Sequence, residues 1–288
     1  MTNQNNLENP SMLNQHEFKE PCTVEFISKL TQLISIERIY MCHCEWKGNP
    51  VMKITILIPG SAKMHITAAS ALTEMVMSDY PEFKFEIFYI EDVRRALRYG
   101  NLVFYTICKE VNLVYQSDRY NSVLSGDVSA RSALRRAKRS FKKEWKKVEN
   151  FRAGFNFYFG KKNYAFAAFM VHQMFELSYR TVELLLIGKE NFSHSIRNHQ
   201  KMNQHVPVLG TLFKEGNKEE ETLLDLLDAA YRSVRYEQDY KIELHQLLII
   251  WLKAERMELQ VFALCELIVG QFKDHMEAVA MSEVTDFS

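Results

Sequence analysis

Alternation of apolar and polar residues with period two is confined to the first 118 residues, and beyond them the spacing is almost entirely helical. Val24, Ile27, Leu30 and Leu33 fall at helical spacing and predict a short helix at about 23–35. ERIYMCHCEW and VMKITILIP read as strands, separated by Lys47-Gly48-Asn49-Pro50, residues that favour a hairpin turn. MHITAASALTEMVMSD reads as a helix stopped at Tyr80-Pro81, because a proline pushes the residue before it out of helical conformation. FKFEIFYI alternates aromatic and charged residues as a half-buried strand does. In EDVRRALRYG the acids come first, the arginines later and Gly100 last, the order that a helix dipole and a left-handed cap favour. NLVFYTICKE is mainly helical, and VNLVYQS closes the region as a strand.

The remainder carries almost no strand signal. SARSALRRAKRSFKKEWKKVENFRAGFNFYFG predicts one long helix, and after Gly160 KKNYAFAAFMVHQMFELSYRTVELLLIG predicts a second. KENFSHSIRNHQKMNQH reads as a polar loop, followed by helices at about 206–214 and 218–237 and a long final helix at about 240–276. The expected class is α+β: a disordered, Asn/Gln-rich tail (1–22), a small α/β domain (23–118), a linker (119–130), an all-α bundle of four to five helices (131–276) and a C-terminal tail (277–288).

Composition is globular, with 47% hydrophobic and 25% charged residues, and 36 basic residues balance 36 acidic ones. The sum therefore gives no global pull toward nucleic acid or membrane, but the distribution is uneven. Ten basic residues lie between Arg131 and Arg152, among them Arg135, Arg136, Arg139, Lys142 and Lys143, against only Glu144 and Glu149. Such a helix could follow a phosphate backbone or meet an acidic partner. It could equally be a solvated face beside the acid-rich EGNKEEETLLDLLD. Phe141, Trp145 and Phe151, at helical spacing, read as core. The five cysteines have neither ligand-like nor disulfide-like spacing, and Cys42-His43-Cys44 on a strand would point to alternate faces. Free thiols, an amino terminus without an apolar segment and apolar runs too short for a bilayer lead to the expectation of a soluble, cytoplasmic protein.

Three patterns bear on chemistry. Gly60-Ser61 follows the strand KITILIP, where backbone amides can approach a phosphate. Two-metal phosphoryl transfer also needs convergent acids, and Glu86 and Asp79 each stand alone. His194, His199 and His205 share no helical face and lack companion ligands, so a solvated connection without metal is expected, with His205 a polar contact at the start of a helix. His172, Glu176 and Arg180 form one helical stripe at intervals of four. A carboxylate inside a bundle needs a partner, and AAYRSVRYEQDY offers Arg232 or Arg235, with Tyr231 over Arg235 and Arg232 over Tyr236. The outcome is either a structural ion pair or a polar groove presenting Arg235 and Tyr236 to a nucleotide or RNA phosphate. None of these patterns calls for a catalytic residue, a metal or a cofactor.

Taken in order, YAFAAFMVHQMFELSYRTVELLLIG, QHVPVLGTL and LLDLLDAAYRSVRYEQDY resemble the HEPN family (higher eukaryotes and prokaryotes nucleotide-binding domains) over roughly 128–276. Ala167, Gln173 and Glu176 match its first element, His205 and Leu209 its second, and Tyr231, Arg235 and Tyr236 its third. The resemblance implies a bundle that dimerises with its copy, preceded by a minimal nucleotidyltransferase-like domain carrying the Gly60-Ser61 turn. The metal acids of such a domain are missing here. So is the Arg-x4-6-His pair of the family's ribonucleases: seven residues separate Arg197 from His205, and nine separate Arg235 from His245. Arg38 and His43 fit that formula but lie in a predicted strand of the first domain. The resulting expectation is nucleotide or RNA binding without catalysis, through Glu176, His172, Arg232, Arg235, Tyr236 and His205. The alternatives are an RNA-cleaving protein using Arg235 with His205 or His172, and an interaction module whose basic helix docks an acidic surface.

Overall fold

The structure is a computed structural model and describes residues 21–46, 49–61, 64–119, 124, 129–187, 191–204, 206, 208–236 and 240–285. The chain divides into two compact units, Met1–Ala133 and Leu134–Ser288.

The first unit contains α1 (Pro21–Leu33), β1 (Arg38–Trp46), β2 (Asn49–Ile58), α2 (Ile66–Met77), β3 (Phe83–Tyr89), α3 (Ile90–Tyr99), α4 (Leu102–Ile107), a 3-10 turn (Glu110–Asn112) and β4 (Leu113–Gln116). The sheet order is β3-β2-β1-β4. β1 lies antiparallel to β2 with Met41 opposite Ile54, and antiparallel to β4 with an irregularity between Ile39 and Tyr40. β2 and β3 are parallel, with Ile54 opposite Phe85, because the α2 crossover returns the chain to the same end of the sheet. Successive strand residues point to opposite faces, and each face buries its own set. Ile39, Met41, Ile54, Ile56 and Ile58 pack with Phe26 and Leu30 of α1 and Val76 of α2. Tyr40, Leu57 and Phe88 pack with Val93 of α3 and Phe104 and Ile107 of α4. Gly100 ends α3 at φ 87°, a left-handed conformation that a side chain would disfavour. Asn49 and Pro50, expected in the hairpin turn, already belong to β2 opposite Trp46 and Glu45; Lys47 and Gly48 lie outside the described residues.

The second region is helical: α5 (Ala130–Gly160), α6 (Tyr164–Val182) running into a π-helical turn (Glu183–Ile187), α7 (Ile196–Met202), α8 (Lys218–Tyr236) and α9 (Leu244–Thr285). No strand occurs among its described residues. α6 is the central helix of this core. Val171, Met174, Phe175 and Tyr179 are buried with Leu227 and Ala230 of α8, Leu247, Ile250, Ala254 and Met257 of α9, and Trp145 and Phe155 of α5. No helix among the described residues is long and apolar enough to cross a membrane.

Three expectations are corrected here. The segment read as a polar loop contains α7, whose amino terminus is capped twice. Ser195 Oγ accepts from the Asn198 amide, and Asp228 of α8 accepts from the Ile196 amide at 2.5 Å and from Ser195 Oγ at 2.8 Å. The segment at 206–214 is a series of turns rather than a helix. Side chains take the backbone groups that a helix would pair: Tyr179 donates its hydroxyl to the Leu209 carbonyl, and the Gln200 amide bonds both the N–H and the carbonyl of Phe213. Gly210 sits so close to the chain that a Cβ would lie 2.5 Å from Gln204 Cα. The final helix also runs on to Thr285, through most of the expected tail.

Candidate functional site

On α6 the polar stripe is sealed by its neighbours. His172 and Glu176 are buried, and Glu176 accepts from Gln173 Nε2 at 3.1 Å, from His194 Nδ1 at 3.1 Å and from Arg180 at 3.4 Å. His172 Nε2 donates to the His194 carbonyl at 2.8 Å, while its Nδ1 accepts from Gln173 Nε2 at 3.1 Å. One nitrogen donates and the other accepts, so the ring is the neutral Nε2–H tautomer. Burial holds its pKa below the ordinary value, with nearby Glu176 opposing that shift.

His194 carries this cluster to the surface. Its side chain is 51% exposed, and its ring stacks on Tyr231 of α8 with centroids 4.1 Å apart and planes at 17°. The Arg180 guanidinium lies over the exposed ring of Phe192. The arrangement is a histidine held by a buried carboxylate on one edge and a tyrosine face on the other, beside a guanidinium.

A second polar cluster lies two turns further along α6. Glu183 and His199 are fully buried, with His199 Nδ1 2.7 Å from Glu183 Oε1 and its Nε2 2.8 Å from the Ser193 carbonyl. Glu183 also accepts from Asn203 Nδ2 at 3.0 Å and from the Asn191 amide at 2.9 Å. Nε2 must donate to a carbonyl, so the remaining contact places one proton between Nδ1 and the acid. His199 is thus a core residue, which corrects its expected place in a solvated connection. Sequence reading missed Glu183, Asn203 and Asp228; the one usable signal was the four-residue spacing of His199 and Asn203.

The expected counter-ion for Glu176 is also corrected. Its partners are Arg180 from its own helix, His194 and Gln173, whereas Arg232 is exposed and not among them. The side chains of Arg235 and Tyr236, and the whole of His205, lie outside the described residues. Gly60 and Ser61 are exposed, and the Gly60 amide donates to Glu91 Oε2 at 2.9 Å.

On α5, Arg131, Arg135, Arg136, Lys138, Arg139, Lys142 and Lys143 are exposed. Lys146 and Lys147 pair within the helix with Glu149 and Glu144, and Arg152 pairs with Glu258 under the Trp251 ring. Four of the five acids of α8 are engaged elsewhere: Glu220 with Lys253, Asp225 with Arg197, Glu221 with the Gly216 amide and Asp228 at the α7 cap. Phe141 and Trp145 stack on each other and against Phe262 of α9, so they belong to the packing. A cavity of 470 Å³ in the first unit lies between α2 and β3, lined by Val51, Met77, Phe83 and Phe85 with the Lys53–Glu86 ion pair. No group of three or more metal-ligating side chains converges among the described residues.

No protein-family model matches this chain, and no curated protein matches it. What the fold defines is a four-stranded α/β unit followed by a helical region.

Proposed function

We propose that this protein binds RNA without cleaving it, through a helical region of the HEPN kind preceded by a nucleotidyltransferase-like unit that lacks metal acids. The observation that carries the reading is the basic face of α5. Seven exposed cations occupy its first four turns, and four of the five α8 acids expected beside them are bonded to other partners. A cationic row of this kind attracts a polyanion by releasing the polymer's counterions. Two of the residues behind the family resemblance, Gln173 and Glu176, are hydrogen-bonded to each other, as a built polar site requires. Next to them, the half-exposed His194, its other face stacked on Tyr231, offers a ring on which a base could stack.

Fluorescence anisotropy with labelled single-stranded RNA over a salt series tests this. The wild type should bind with a steep salt dependence. Replacing Arg135, Arg139 and Lys142 by Glu should remove at least three phosphate contacts, making the log–log slope shallower by about 2, at roughly 0.7 per contact on a single strand. Because all three side chains are exposed, the same variant should keep the wild-type unfolding midpoint. Salt-independent binding, or equal binding by the variant, would overturn the reading.

A further inference from the structure

The turn between α5 and α6 sets exposed aromatic rings beside two lysines, and from it we infer that this tip docks on the surface of an anionic lipid bilayer. Phe157 is 60% exposed and Phe166 40%. Tyr158 lies between them, edge-on to Phe157 with centroids 5.2 Å apart and stacked on Phe166 at 5.1 Å. Tyr158 also packs against the buried core, so the row of rings is braced from within. The turn is held as firmly: the amides of Lys161, Lys162 and Asn163 donate to carbonyls of Phe157, Tyr158 and Phe159, and Asn163 Oδ1 accepts from the Phe166 amide. Lys162 sits at φ 57°, a left-handed position where glycine is favoured, and brings a charge there instead. Lys161 and Lys162 are both exposed, and neither pairs with an acid among the described residues.

Charge and shape choose the partner. The chain has no acid between Glu149 and Glu176, a stretch that includes the whole turn. α5 and α9 run antiparallel, because Phe141 meets Phe262 and Phe155 meets Trp251. Leu244 and Leu248 stand two turns and one turn before Trp251 on the same side of α9, and both are exposed. They extend the apolar surface at this end of the helical region, where Glu243 lies 3.2 Å from His245. The end of a helical hairpin projects rather than encloses, so it suits a surface better than a small molecule. A bilayer presents anionic phosphates over an apolar interior, and rings with lysines beside them match both layers, the long lysine stems reaching up to the headgroups. An RNA strand would supply the phosphates but leave Leu244 and Leu248 in water, and Tyr158 and Phe166 already cover one face of each other. No described helix is long and apolar enough to cross a membrane, and an interfacial contact needs none.

Co-sedimentation of the full chain with vesicles, in the absence of RNA, tests the docking apart from the RNA reading. The wild type should pellet with phosphatidylcholine vesicles that carry phosphatidylserine. It should bind pure phosphatidylcholine about 25-fold more weakly, at roughly fivefold for each of the two lysines. Lys161→Gln with Lys162→Gln should lower binding to that same level, and Phe157→Ser with Phe166→Ser should weaken it by about 10-fold or more. All four side chains are exposed, so both variants should keep the wild-type circular dichroism spectrum and unfolding midpoint. The variant with Arg135, Arg139 and Lys142 replaced by Glu should bind vesicles as the wild type does at physiological salt, where charges more than about 8 Å apart are screened. Phe157→Trp should gain emission that brominated acyl chains quench. A wild type indifferent to phosphatidylserine, ring or lysine variants that bind unchanged, loss confined to the α5 variant, or an introduced tryptophan that stays unquenched would overturn the inference. If the ring variant keeps vesicle binding and loses labelled RNA instead, the tip is a nucleic-acid contact and the lipid assignment falls.

Discussion

Glu176 and Glu183 stand two turns apart on one helix, and each is bonded to a histidine from the segment that follows it. Their surroundings differ, and so should their contributions. Glu183→Ala would leave His199, Asn203 and the Asn191 amide without their acceptor in a site with no exposure, a loss of about 3–5 kcal/mol. Glu176→Ala frees His194 and Arg180 to reach water, and about 1–3 kcal/mol is expected. Urea unfolding of the two variants checks the order, and equal losses would show that burial does not set it. His172 supplies a pH dependence. Its folded pKa lies below the 6.5 of the free side chain, so the unfolded chain binds this proton more readily. Its linked contribution is intact above about pH 6.5 and declines as the pH falls below it. His172→Gln should therefore unfold with a flatter pH profile between about pH 7.5 and 5.5 than the wild type, measured as urea midpoints. At this scale the stripe itself was legible, because four-residue spacing is a local rule that brought Arg180 to Glu176. Its other partner was not legible. His194 reaches Glu176 from beyond the π-helical turn, and no periodicity records such a contact.

Among the elements, legibility followed how local the deciding forces are. β1 and β2 announced themselves as apolar stretches flanking a turn signal, β3 by alternation, and α3 by its acids, arginines and Gly100. α7 did not, because five of its seven residues are polar and its amino terminus is held by Asp228 from a different helix. The 206–214 stretch failed in the opposite direction: helix-like composition lost to Tyr179 and Gln200, which claim its backbone. α5 illustrates a third case. Its charge was plain from the letters, but how much of it was neutralised depended on where the acids of α8 point, and four of the five point to Lys253, Arg197, the Gly216 amide and the α7 cap.

For the whole molecule, net neutrality hides an uneven surface: exposed cations gather on the first turns of α5, and large apolar side chains such as Leu252 and Leu259 are left exposed on α9.

The Gly60 turn carries one last consequence. Its amide already holds an oxygen of Glu91, contributed by the first turn of the neighbouring helix α3. The loop thus comes with a built-in anionic tenant, and any visiting phosphate has to evict it before settling.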